Sequence, residues 1–336
     1  MKKTRQRFFI FFILISGLWL SCQMFDWTTA QAANHKHFYK GEIIIGVAPW
    51  PGYISLYMAD AKGYFKEAGS NVQVKPYPGL GELLKDYVAG KIQGRANLTL
   101  DTVNEYLGGF NQKIVLAIDY SNGSDKIVAR RNIIAVKDFK GKRVAYELNT
   151  LEEFFLSWAL AENNLQISDI ISVPANPEEA AKLLKAGQAD AAVFYEPFTS
   201  QYISSDEFHT VYSSANAPGL ITDILTFRED FIKTYPETVQ AVIYAYFKAM
   251  NFSKEHPEEA NKLLAKVLDD EPESVAKQLK GLVLLDQHDN EIAFTFAAGL
   301  RSLYGNMRQI GKFVSKHHSE APRFLDTDPL IDSQFI

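Results

Sequence analysis

Ala89-Gly90-Lys91-Ile92-Gln93-Gly94 and Ala186-Gly187-Gln188-Ala189-Asp190-Ala191 are two versions of one passage, held at a constant offset of 97 residues from Gly90 to Gly187. Each follows a helical stretch and enters an apolar run. Glycine just past a helix end is favoured because it takes a positive φ without a Cβ clash. The pair therefore predicts a repeated helix–turn–strand unit, and with it two similar α/β lobes. The same offset sets Thr99 against Glu196, at matching strand ends.

The surrounding chain carries the rhythm that such lobes require. Glu42 to Ala48 is a short apolar run rich in β-branched residues and reads as a buried strand. Pro49-Trp50-Pro51-Gly52-Tyr53 is a turn, Ser55 to Glu67 is helical, and Val72 to Tyr77 alternates as a strand. Glu82 to Ala89 forms a helix. Ala96, Leu98 and Leu100 mark a strand, Asp101 or Thr102 caps a helix to Leu107, and Ile114 to Ile118 is a further buried strand. A second series begins near Asp138. It has a strand ending at Tyr146, a helix from Leu151 to Glu162 with a Thr150/Glu153 capping box, and a strand from Ile171 to Pro174. A helix from Pro177 to Ala186 and a strand from Ala191 to Tyr195 complete it. Strands alternating with helices predict mostly parallel sheets. From about Phe227 the chain reads as helical, with starts near Pro236, Pro257 and Pro272 and one long helix over Glu291 to His317.

The 336 residues and net charge of −5 are those of a globular protein with room for two cores. No long Lys/Arg run follows residue 7, so nucleic acid is not an expected partner. Lys2, Lys3, Arg5 and Arg7 precede an apolar run from Phe8 to Leu20, the pattern of a secretory signal. Two processing sites follow. Residues 1–32 would be removed at Ala30-Gln31-Ala32, or 1–21 at Cys22, which would then carry a lipid and hold the protein at the membrane. A polar tether continues to residue 39. Cys22 is the only cysteine, so the domain has no disulfide, no thiolate nucleophile and no cysteine-based metal site. The seven histidines form no HExxH pattern; His35 and His37 fall in the tether and His317-His318 at a helix end. Neither G-x-S-x-G nor G-x-x-x-x-G-K-[ST] occurs. The chain calls for no cofactor and no metal.

Gly46 to Tyr53, Ala59 to Gly69, Asp119 to Asp125, Asp138 to Val144, Ala186 to Ala191, Tyr195-Glu196-Pro197 and Phe231 to Ala241 together resemble solute-binding proteins of the nitrate, sulfonate, taurine and thiamine-precursor class, the SsuA-like and NMT-like group. The resemblance covers nearly all of the chain beyond the tether. It implies a type II periplasmic-binding-protein fold, a Venus flytrap of two α/β lobes joined by two crossing strands. Lobe one would take residues 40–126 and 222–336, with the C-terminal helices packed on it, and lobe two residues 127–221. It also implies a monomer that passes a small molecule to the permease and ATPase subunits of an ABC importer. A sensor module, or an enzyme on the same fold, is the alternative.

In open α/β sheets ligands bind beyond the carboxyl ends of strands. Trp50, Tyr53, Thr99, Asp101, Asp119, Tyr120, Glu147, Thr150, Glu196 and Asp223 fall at such ends and are the candidate ligand-binding residues. Glu196 leads, because a carboxylate ending a strand of small residues is costly to bury without a partner. Asp119 and Asp125 could equally brace a Ser-Asn-Gly turn, and Glu147 and Glu152 could be surface charges. The candidates are rich in carboxylates and aromatics and lack Arg and Lys. They predict an amine or a nitrogenous heteroaromatic ligand, stacked on Trp50 or Tyr53 and bonded to Glu196. A taurine-like zwitterion would place its sulfonate on the helix N-terminus near Thr150.

Overall fold

The computed structural model describes residues 38–196, 198–203, 206–317 and 321–336. The signal sequence, the Ala30–Ala32 site, Cys22, His35, His37, Pro197 and His318 lie outside them. β1 (Ile43–Val47) is buried and feeds α1 (Ile54–Ala61) and α2 (Tyr64–Glu67) before β2 (Val72–Pro76). The single helix expected over Ser55–Glu67 is thus two, because Gly63 takes a left-handed φ of 70° and turns the chain. α3 (Leu80–Val88) leads to β3 (Gly94–Leu98), and α4 (Thr99–Leu107) to β4 (Gln112–Ser121). The chain then crosses to β5 (Lys126–Arg130), β6 (Arg143–Tyr146), α5 (Leu151–Glu162), β7 (Ile171–Pro174), α6 (Pro177–Lys185), β8 (Ala191–Phe194), α7 (Phe198–Tyr202) and β9 (Phe208–Ser213). It returns through β10 (Thr222–Arg228) to α8 (Glu229–Thr234), α9 (Pro236–Glu255), α10 (Pro257–Leu268), α11 (Pro272–Leu279), β11 (Leu282–Leu284), α12 (Gln287–Ala293) and α13 (Leu303–His317).

Two sheets result, ordered β11-β4-β10-β3-β1-β2 and β7-β6-β8-β5-β9. Read from the other end, the first runs β2-β1-β3-β10-β4 before its extra strand. Position by position it matches the second in both order and sense. β1 is parallel to β2 and β3, as β6 is to β7 and β8. The fourth and fifth strands are antiparallel in both sheets. Gly90 and Gly187 hold the same φ of 73° at the matching turns. This is the mixed α/β, two-sheet periplasmic-binding-protein architecture. The crossing chain belongs to both halves: β4 runs on into β5 of the second sheet, and β9 runs back into β10 of the first.

The crossovers are pinned by small side chains. Ser121 Oγ and Ser214 Oγ are 2.7 Å apart, and Ser214 Oγ also accepts from Gly123 N at 2.7 Å. Gly281 O accepts from Asn122 N at 2.7 Å and from Ser124 Oγ at 3.1 Å, so the start of β11 is tied to the first crossover. The C-terminal helices return to the first sheet: α9 packs on α1 and α2, and α13 on α4. The helix expected over Glu291–His317 is interrupted. Asn290, fully buried, pairs with both Ala117 N (2.8 Å) and Ala117 O (3.0 Å) and so docks α12 on β4. Ser302 Oγ then closes the intervening loop on Thr295 O at 2.6 Å. α13 also reaches the second half, where Phe313 meets Phe154 edge-on at 5.1 Å and His317 Nε2 lies 3.5 Å from Glu153. One apolar cluster accordingly runs through both halves, including Leu100, Val103, Phe154, Phe155 and Ile310.

Candidate functional site

The turn after β1 carries Trp50 and Tyr53 toward two aspartates. Asp119 and Asp223 are in-register neighbours on the antiparallel pair β4 and β10. Both are buried. Trp50 Nε1 donates to Asp119 at 3.2 Å, and Tyr53 OH donates to Asp223 Oδ1 at 2.6 Å. Burial pushes the pKa of each aspartate up, and each one's charge adjoins further carboxylates, Asp125 beside both and Asp101 beside Asp223. Two buried carboxylates side by side cannot both ionise freely without a cation between them.

Three more carboxylates act electrostatically on this pair or on one another. Asp101 stands in the first turn of α4, with its pKa pushed up to about 6 by burial, against the lowering effect of Arg95. Asp125 ends the first crossover, is only 5 % exposed, and is pushed up to about 7 by burial, against the lowering effect of the Ser121 hydroxyl. Its Oδ2 has no hydrogen-bond partner among the described residues. Glu152, 7 % exposed, stands in the first turn of α5, raised by burial and partly offset by the Thr150 hydroxyl. The charge of Glu152, at the start of α5, also raises Asp101 at the start of α4. The first turn of each helix thus carries an acid of its own.

The remaining candidates are placed differently. Glu196 is buried, yet its charge is met: Lys126 Nζ lies 2.8 Å from Oε1, and Ser200 N donates to Oε2 at 3.0 Å. Burial raises its pKa, but those bonds and the Lys126 charge outweigh burial and hold it below the usual carboxylate range. The expectation that Glu196 lacked a protein partner is corrected, because Lys126 lies directly across the strand pair at Phe194. Thr150 makes no side-chain cap; its hydroxyl donates to Glu147 O at 2.8 Å and bonds Glu152, while Glu153 accepts from Asn149 N at 2.7 Å. Glu147 itself is exposed. Thr99 Oγ1 donates to Thr222 O at 3.4 Å and ties α4 to β10. Tyr120 lines a small cavity with Leu285, Ile292 and Leu300, a lining that includes none of Asp101, Asp119, Asp125, Glu152 and Asp223. A larger cavity of about 170 Å³ lies on α13, lined by Arg308, Lys312 and Phe324.

Asp125, Glu152 and Tyr195 were not candidates by sequence. The alternative roles of turn brace and surface charge fit Asp125 and Glu152 poorly, since both are buried. The pKa of Tyr195 is raised by burial and by the charges of Glu152, Glu147 and Asp125. Their signal was present in the spacing Asp119 to Asp125 across a glycine-containing crossover, and in the acids directly after Thr150.

Gly52 makes the turn possible. A Cβ there would lie 1.9 Å from Asp119 Oδ2 and 2.7 Å from Trp50 Nε1. Gly52→Ala is therefore expected to push Asp119 out of its indole bond and to weaken ligand binding about tenfold or more, because such positioning tolerates little displacement. Calorimetric titration beside a melting curve checks this; unchanged affinity would show that Asp119 does not touch ligand.

The chain is similar to several known proteins. A Brucella abortus (strain 2308) chain named as a binding protein is 23% identical over 158 residues, 46% of this chain and 49% of that one. This chain thus matches about half the length of its curated relatives. The periplasmic aliphatic sulphonate binding protein SsuA of Escherichia coli aligns over 85% of this chain and 96% of its own, at 16% identity and a TM-score of 0.70. The desulfurization enzyme DSZB aligns over 88% and 97%, at 14% identity and a TM-score of 0.62. At these identities the structural likeness establishes the fold, on which binding proteins and an enzyme both occur. The NMT1/THI5-like sequence profile matches residues 50–260, well over half of the chain, and the protein belongs to that family.

Proposed function

We propose that the protein is an extracytoplasmic solute-binding protein that holds a small cationic solute, an amine or a protonated nitrogenous heteroaromatic, between its two lobes and delivers it to an ABC importer. The reading continues the sequence expectations: export, a lipid on Cys22, a monomeric domain, and no catalysis. Lobe one contributes Trp50, Asp101, Asp119, Asp125 and Asp223, and lobe two contributes Glu152 and Glu196.

One observation carries the choice of ligand. Five carboxylates act electrostatically on one another, and the cations that act on them, Arg95 on Asp101 and Lys126 on Asp125, are each already paired, with Glu105 and Glu196. A sulfonate or nitrate needs donors or a free helix N-terminus. Here the first turns of α4 and α5 hold Asp101, Glu152 and Glu153, so an anion would meet like charge. The zwitterion with its sulfonate near Thr150 is disfavoured for the same reason. Trp50, partly exposed, remains able to lie against an aromatic or cationic group.

The test is a thermal-shift panel of primary amines, aminopyrimidines, taurine, alkanesulfonates and nitrate against the purified protein. Ligand at about a hundredfold excess over Kd stabilises the folded state by about 2.7 kcal/mol. A rise confined to the amine and aminopyrimidine arms is expected. A rise with sulfonate or nitrate alone would overturn the cationic reading.

A further inference from the structure

We propose that the cavity on α13 is a second binding site, and that it takes a small aromatic carboxylate. The site is separate from the carboxylate pair, since neither Asp119 nor Asp223 lines it, and it does not rest on the cationic-solute reading. Its volume of about 170 Å³ suits a single ring, because an apolar protein cavity of about 150 Å³ is large enough to take up benzene.

Charge decides the sign of the occupant. Arg308, Lys312 and Arg323 line the cavity, and among the described residues no carboxylate does. Arg308 is held from outside: its Nη2 lies 2.8 Å from Asp328, and its guanidinium stands 4.4 Å from the Phe296 ring. The other two cations are uncommitted. Lys312 Nζ reaches the neutral Gln309 Oε1 at 3.4 Å, and neither Lys312 nor Arg323 forms an ion pair among the described residues. Ser315 adds a donor. It lines the same cavity and lies three residues beyond Lys312, on the same face of α13. Its Oγ is buried and has no hydrogen-bond partner among the described residues, although a helical serine can bond the carbonyl four residues back. A buried hydroxyl left unpaired is costly. A carboxylate in the cavity accepts from it and takes charge-assisted bonds from Lys312 and Arg323. Leu325 and the exposed ring of Phe324 supply an apolar wall for the rest of the ligand.

The experiment is calorimetric titration of the purified protein with benzoate and with benzamide, its neutral isostere. Benzoate is expected to bind about tenfold or more tightly, because it alone gains charge-assisted bonds. The double variant Lys312→Gln/Arg323→Gln is expected to erase that difference and leave benzamide unchanged. Ser315→Ala is expected to weaken benzoate about tenfold, the usual effect of losing one hydrogen bond to a charged group. Lys312 and Arg323 are exposed, so their replacement leaves the core intact, and a melting curve on each variant confirms folding. Benzoate that does not bind, or binds no better than benzamide, overturns the proposal. Benzoate binding that is indifferent to the double variant also overturns it, because the anion then sits elsewhere on the protein. Amine binding is expected to be the same in parent and double variant, so the cationic reading stands or falls separately.

Discussion

Glu105→Ala is expected to destabilise the protein by about 3–5 kcal/mol, the usual cost of stranding one member of a buried ion pair. Arg95 is 1 % exposed, among the most deeply buried large side chains described. Its guanidinium is bonded to Glu105 and stands 5.0 Å from the Tyr87 ring. Gln112 Nε2 donates to the same Glu105 carboxylate at 2.6 Å. Arg95 Nε already has no hydrogen-bond partner among the described residues, so removing Glu105 leaves the buried guanidinium less satisfied still. The pair joins β3 to α4, the helix whose first turn presents Asp101. A fall in the urea midpoint with an unchanged slope would report this loss as one of stability. The double substitution Arg95→Met with Glu105→Leu should recover most of it, because apolar replacement of a whole buried pair is often neutral or better. A single-variant loss under about 1 kcal/mol would show that water reaches the guanidinium.

Asp223→Asn should do the opposite to stability and still destroy function. Asp223 and Asp119 are buried neighbours whose pKa values are both raised, chiefly by burial. A carboxylate whose folded pKa lies above its unfolded value holds its proton better when folded. Its contribution to stability is full below about pH 4, the unfolded value, and is lost as pH rises through the folded value. For Asp101 and Asp125 that loss ends near pH 6 and pH 7. The empty protein should therefore melt at a lower temperature at pH 8 than at pH 5.5. In Asp223→Asn the amide oxygen can still accept from Tyr53, while the charge is gone. The variant should melt higher than the parent at pH 8, with the difference shrinking toward pH 5. Affinity for a cationic solute should fall by about 2–5 kcal/mol, or about thirtyfold to several thousandfold, as when one member of a buried charge pair is removed. A variant no more stable at pH 8, with affinity intact, would show that the two aspartates are not a strained anionic pair.

Much of the fold was legible because both lobes use the same local code. The apolar runs of β1, β4 and β8, and the glycines at 90 and 187, state strand and turn without help from tertiary structure. β5, β9 and β10 were not read. They are the strands that cross between sheets, and their boundaries follow from pairing with partners far away in sequence. The long helix expected over Glu291–His317 is two helices, ending at Ala293 and resuming at Leu303, with the loop between them closed by Ser302 Oγ on Thr295 O. At the site, the strand-end rule picked out Trp50, Tyr53, Asp119 and Asp223, which the structure joins by hydrogen bonds and strand register. Glu196, placed first among the candidates, is paired with Lys126 at the start of an unread strand. Asp125 and Glu152 were not among the candidates, because nothing local in a loop acid or a helix-terminal acid announces its burial.

β10 lies between β3 and β4, bonded to both, yet it is made after every residue of the second sheet. A growing chain that has reached residue 221 holds β3 and β4 with the slot between them vacant, each offering a row of unpaired amides and carbonyls to a stranger. Order of synthesis and order of assembly therefore cannot coincide in the first half, whatever the speed of the ribosome. The same vacancy means that ending the chain within residues 213–222 leaves the first sheet without a middle strand, so its N-terminal part is not a separable module.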